Sequence, residues 1–296
     1  MLKETSAFAL RWSGVPFLIR HTVARTRASI LLYHDPPPSL LDRHLSYLAR
    51  HYNFVSLTLL VESIRSGDWS RMPPRPLAVT LDDGHAGNFS LLEVFKRYAV
   101  VPTIFVCTKI VGTLRHFWFQ DARDGFDSLV DLPNEERLRV LRQKFDFDVD
   151  RDYGPEQRQA LTVEELALMS PYVEFGSHTR YHPTLTTCQS AECEEEIAGS
   201  KAELEELLGL PCKHFSYPNG DYSDREVELA KRCGYLSART ADVGWNSRNT
   251  DPFRLRVVGI GDDTSLNMLT AQLSGIRFLR SRAKGNVWRR RSTRAT

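Results

Sequence analysis

No apolar run in the 296-residue chain approaches the about 20 residues that a membrane-spanning helix needs. Cysteine is scarce and unpaired in pattern. Cys107, Cys188, Cys193, Cys212 and Cys233 form an odd set without a C-x-x-C pair, which speaks against a disulfide framework or a zinc ribbon and for reduced, mostly buried thiols. The apolar stretch 15–19 is too short for a secretory signal, and arginines rather than a small-residue cleavage site follow it; the expectation is a cytoplasmic protein. There is no internal repeat. No histidine follows His214, and no acidic residue occurs in 277–296.

That last absence exposes an asymmetry of charge. Residues 277–296 hold eight Lys/Arg, and residues 1–28 hold five against one Glu. The chain as a whole is +2, so 29–276 carries about −10. Such a body repels nucleic-acid phosphates, so no nucleic acid is expected as partner. The basic C-terminal tail, 276–296, is either a solvated, solubilising stretch or a tether to an anionic surface such as the inner membrane face, where each basic residue contributes about 1 kcal/mol. Phe8, Leu10, Trp12, Phe17, Leu18 and Ile19 in the basic, amphipathic extension 1–28, with Phe278, Leu279 and Trp288 in the tail, supply apolar contacts for a peripheral attachment.

Between these ends, short β-branched or apolar runs alternate with helical periodicity. Strands are expected at 29–33, 54–57, 77–81, 102–106, 173–176, 214–218, 237–238 and 255–258; helices at 40–50, 61–65, 91–98, 192–208, 223–234 and 266–275. Thr162 and Glu165 have capping-box spacing before a further helix. Residues 112–160, rich in Asp, Arg, Glu and Gln, read as a largely helical insertion. The alternation predicts an α/β domain with a mostly parallel sheet and its site at the carboxyl ends of the strands.

Three strand ends carry chemistry. The run LAVTL ends in Asp82-Asp83-Gly84; a short strand runs into His178-Thr179-Arg180-Tyr181-His182; and another ends in Ser216-Tyr217-Pro218-Asn219-Gly220. Two histidines four residues apart suit a shared metal ion, and Pro183 places them in a turn rather than a long helix. Two imidazoles and one carboxylate are a ligand set that leaves a position open for water.

In this order, with Tyr33-His34 ahead of them and P-T-x-F-V at 102–106, these elements resemble the polysaccharide deacetylase family, also called carbohydrate esterase family 4 or the NodB-homology group, over 29–275. The early Tyr-His pair resembles one branch of it. The resemblance implies a distorted (β/α) barrel of about seven strands and a divalent metal, most often zinc, with cobalt or nickel as alternatives. It implies Asp83, His178 and His182 as metal ligands, Asp82 as catalytic base, and His34 as general acid in place of the late histidine this chain lacks. The turn after Tyr217 (Pro218, Asn219) is the candidate oxyanion donor. Tyr217 and Trp245 are candidates for a sugar-facing wall. The family arginine of the third motif is missing, since Ser216-Tyr217 stands there; Arg256 is the candidate substitute cation, and Asp242 a candidate partner in the surroundings of the site. His85, just beyond the DDG turn, is expected beside the site rather than as a ligand.

The expected activity is metal-dependent removal of an acyl group, N-acetyl by preference, from an amino sugar or a nucleotide-linked, lipid-linked or small glycoside intermediate. The rivals are an O-deacetylase on the same site and a carbohydrate-binding pseudo-enzyme.

Overall fold

The computed structural model describes residues 4–275. Eight parallel strands build it: β1 (Ser29–Tyr33), β2 (Asn53–Phe54), β3 (Pro76–Leu81), β4 (Thr103–Val106), β5 (Glu174–Ser177), β6 (His214–Ser216), β7 (Ser237–Val243) and β8 (Leu255–Gly259). β1 pairs with β3 over five residues and also with β8, which closes β1 and β3 to β8 into a barrel of seven strands. β2 pairs only with Pro76 and Leu77 at the start of β3, on the edge that β4 takes further along. The distorted barrel of about seven strands expected from the sequence is therefore what the chain forms.

Strands β1, β3, β4 and β6 are buried on both faces, as helix-covered parallel strands are. Leu31, Tyr33, Leu77, Val79 and Leu81 point outward to the helix Pro38–Ala49 and its neighbours. Ile30, Leu32, Ala78, Phe105, Leu255 and Val257 pack in a second cluster with Leu57, Leu60, Val61 and Ile64 of the helix Leu57–Ser66. That helix plugs the amino-terminal end of the barrel, where Thr58 bonds His214 and Glu174, and Arg65 bonds the Leu236 carbonyl. The expected strand 54–57 is cut short because the Ser56 hydroxyl accepts the Leu59 N–H and starts this helix early. Strand β7 runs on past the expected 237–238 to Val243.

Between β4 and β5 the insertion forms the short helices Trp118–Asp121 and Phe126–Leu129 and the longer Asn134–Phe145, around a small core of Trp118, Ala122, Leu129, Leu141 and Phe147. Thr162 and Glu165 make the capping box. Ahead of the barrel, Glu4–Trp12 and Val15–His21 are helices, the first packed along Leu266–Leu273. The basic tail 276–296 lies outside the described residues.

Candidate active site

Side chains alternate along a strand, so Ala78, Thr80 and Asp82 share the inward face of β3. Asp83 then leaves the strand with φ 74° and Gly84 with φ 78°. A Cβ at Gly84 would lie 2.8 Å from Val106 Cγ1, so only glycine lets the chain turn here without displacing β4. The two aspartates thereby diverge. Seven non-glycine residues have positive φ among the described residues, and four of them, Asp83, Thr179, His182 and Asn219, surround this point. Backbone strain concentrated in that way marks a site held by its surroundings.

Asp83 Oδ1 lies 3.5 Å from both His178 Nε2 and His182 Nε2. All three residues are buried, and Oδ1 has no hydrogen-bond donor. The His178 Nδ1–H donates to the Ser216 carbonyl at 2.8 Å, which turns Nε2 toward Asp83. Burial drives the His182 pKa down to about 3, against the pull of the Asp83 charge, so this imidazole is neutral near pH 7. Burial alone would raise the Asp83 pKa, but the His85 hydrogen bond and the neighbouring imidazoles outweigh it and hold the carboxylate below its ordinary value. The Nε2 atoms of His178 and His182 and a carboxylate oxygen without a donor converge on one point, which suits a cation between them. Asp83, His178 and His182 are thus a set able to hold a metal ion.

The other oxygen, Asp83 Oδ2, is 3.0 Å from His85 Nε2. His85 Nδ1 is 3.1 Å from the Gln120 side-chain amide, and the ring meets Phe117 and Phe119 edge-on. The insertion therefore grips the ligand loop. It does so again where Trp118 Nε1–H donates to the His182 carbonyl at 2.8 Å and the Leu161 N–H donates to the Gly84 carbonyl at 3.0 Å.

Asp82 has a different partner. Arg239 donates to its Oδ2 and to Ser216 Oγ, both groups nearly excluded from solvent. Ser216 and Arg239 are register partners in β6 and β7, so both point into the barrel at one level. The cation that the third motif lacks reaches the same place from one strand over. Its signal in the sequence was slight: an arginine between the small Ala238 and Thr240, just past the expected end of a strand. Arg256 and Asp242 are not brought to Asp82. Both are exposed, and Asp242 accepts the Tyr222 hydroxyl.

Asp82, Asp83, His178 and His182 open onto a cleft of about 530 Å³, sugar-sized, also lined by His34, Asp35, Phe119, Asn219, Arg239 and Asp262. His34 is exposed on its rim, and the Asp262 carboxylate accepts the backbone N–H of Asp35 at 3.1 Å. Tyr217 and Trp245 do not line the cleft. Tyr217 is buried, stacked on Tyr222 with its hydroxyl on the Phe253 carbonyl, and Trp245 is buried under Arg27. In the turn that follows, the amides of Tyr217 and Gly220 are engaged by the carbonyls of Arg239 and Tyr217, and Pro218 has none. Asn219, on the cleft wall, is left as the turn's candidate donor.

Comparison with known proteins agrees with the geometry. The profile of the family described as "Polysaccharide deacetylase" matches residues 70–238. The curated relative "Putative polysaccharide deacetylase YxkH" of Bacillus subtilis is 21% identical over 258 residues, which span 84% of this chain and 76% of that protein. Among solved structures, the Streptococcus pyogenes deacetylase PplD in complex with acetate superposes with a TM-score of 0.62 at 18% identity, over 84% of this chain and 99% of that one. A de-N-acetylase from Aggregatibacter actinomycetemcomitans does so with 0.57 at 16%, over 83% and 99%.

Proposed function

Since the chain belongs to the polysaccharide deacetylase family, we propose that it is a metal-dependent carbohydrate deacetylase that removes an N-acetyl group from an amino sugar. The observation that carries this reading is the division of labour at the end of β3: Asp83 sits among the imidazoles, Asp82 sits on Arg239, and both face one cleft.

Asp83, His178 and His182 would hold a divalent ion, zinc by preference, which would lower the pKa of the attacking water and polarise the acyl oxygen. Asp82, oriented by Arg239, takes the proton of the attacking water. The Asn219 backbone N–H, its side-chain amide being donated to Thr184, serves as the donor to the oxygen that gains charge as the acyl carbon becomes tetrahedral. His34 on the rim delivers a proton to the sugar nitrogen as the C–N bond breaks, so that acetate and a free amine leave. The substrate is an amino sugar or glycoside intermediate, and the basic termini favour one carried on a lipid at the cytoplasmic face of a membrane.

Mass spectrometry after incubation with N-acetylated and O-acetylated sugars tests the reaction class. Loss of acetyl from nitrogen is expected, and loss from oxygen alone would establish the esterase instead. Two substitutions test the roles. Asp83→Ala should abolish metal binding by elemental analysis. Asp82→Asn should retain the metal and lower turnover by about 10²–10⁴-fold; turnover that survives Asp82→Asn would remove Asp82 as the base.

A further inference from the structure

The helix Ser190–Leu208 is rich in acid: seven of its 19 residues are Glu. Its buried stripe is Cys193, Glu196, Ile197, Ser200 and Leu204, at helical spacing. Six of the seven glutamates keep to exposed or half-buried positions, and Glu196 alone, 5% exposed, stands in the stripe. A carboxylate in the buried face of an amphipathic helix is costly unless it is hydrogen-bonded, so its bonds show what it is for.

Those bonds go to the turn that bears two of the three candidate metal ligands. A single oxygen, Glu196 Oε2, accepts the Arg180 N–H at 2.7 Å and the Tyr181 N–H at 3.1 Å. These are two of the three amides between His178 and His182. The third, that of Thr179, donates to Ser177 Oγ at 3.2 Å. Ser177 Oγ in turn lies 2.6 Å from Ser200 Oγ, one turn along the same helix face from Glu196. The carbonyls of the turn are held from the other side: Thr179 accepts the Thr108 N–H at 3.1 Å and Arg180 the Lys109 N–H at 3.0 Å. The helix thus grips the N–H groups, and the segment after β4 grips the C=O groups.

The turn needs that grip. Thr179 has φ 69° and His182 φ 58°, left-handed conformations that non-glycine residues seldom adopt and that persist only where the surroundings impose them. Released, both residues favour negative φ, and His182 Nε2 leaves the point it shares with His178 Nε2 and Asp83 Oδ1. We propose that Glu196 is a positioning residue for the metal centre: its carboxylate, clamped on the Arg180 and Tyr181 amides, fixes the strained turn so that His178 and His182 converge with Asp83. It touches neither substrate nor the reacting atoms. The inference rests on the reading of Asp83, His178 and His182 as a metal site.

The test compares wild type with Glu196→Leu and Glu196→Gln. Leucine suits the buried stripe but orphans both amides; glutamine keeps an acceptor oxygen without the charge. Zinc affinity, by competition with a chromophoric chelator, should fall by about 10–100-fold in Glu196→Leu, and Glu196→Gln should recover most of that fall. A carboxylate with only a structural role would change unfolding in chelator and leave zinc affinity where it was. Glu196→Leu that binds zinc like wild type therefore overturns the proposal. So does Glu196→Gln that loses as much as Glu196→Leu, because charge and not the clamp would then set the affinity. Wild-type protein that takes up no zinc would refute the metal centre itself, and the positioning role with it; a failed comparison of variants leaves the metal centre standing. Hydrogen exchange of the wild-type chain in chelator needs no variant to fold. The Arg180 and Tyr181 amides should exchange as slowly as those of β5, and exchange at the rate of exposed loops overturns the clamp.

Discussion

At the scale of the residue, Asp82 and Arg239 are a buried ion pair whose members each depend on the other. Removing one partner from such a pair leaves a charge stranded in the barrel and costs about 3–5 kcal/mol. Arg239→Met should therefore destabilise the protein by that amount and also reduce turnover, because Asp82 loses the group that aims it. The double variant Arg239→Met/Asp82→Asn strands no charge and should recover part of the loss. Denaturant unfolding of the four proteins in chelator closes the cycle; strictly additive losses would show that the two side chains do not interact.

At the scale of the element, the strands that bear the site were legible because each passes from apolar residues into polar ones: Leu81 into Asp82, Phe175 into Ser177-His178, Phe215 into Ser216. Adjacency along one strand end shows in the sequence, and so the aspartate pair and the HTRYH turn could be read. Adjacency across the barrel does not show. Arg239 becomes the partner of Asp82 only through the register of β6 with β7, whereas Arg256 belongs to the next strand and faces out. Tyr217 looked like a wall residue because it precedes the turn, yet it is the turn's inner support. The insertion was likewise readable as helical, but its hold on the ligands was not. Trp118 Nε1–H on the His182 carbonyl is an outer bond of that kind, and Arg137 and Phe126 cover the two faces of the indole. Trp118→Phe keeps the ring and deletes the bond. Loss of such a partner weakens metal affinity by about 10–100-fold, to be measured by competition with a chromophoric chelator. Unchanged affinity would make the insertion a lid rather than a support.

At the scale of the whole molecule, buried polar pockets inside the barrel and between the barrel and its outer helix store neutral histidines. His214, between Thr58 Oγ1 and Ser237 Oγ at 2.9 Å each, is pushed by burial to a pKa of about 3. His44, between the Tyr33 hydroxyl and the Thr264 carbonyl, is pushed by burial to about 4, and His182 to about 3. Their unfolded values are near 6.5. Between the folded and unfolded values the unfolded chain binds more protons, so the stability present above about pH 6.5 is lost as the pH falls through that window. Glu196, buried beneath the amides of Arg180 and Tyr181, works the other way: burial raises it to about 7, so it favours the folded state as the pH drops from 7 toward its unfolded value. Three histidines against one glutamate give a net loss on acidification, about 2 kcal/mol per histidine at pH 5 as an upper bound. His214→Gln isolates one of them. It should be less stable than wild type at pH 7, yet lose about 2 kcal/mol less between pH 7 and pH 5, as read from denaturant midpoints at the two pH values. If variant and wild type lose the same amount, the acid sensitivity does not come from His214.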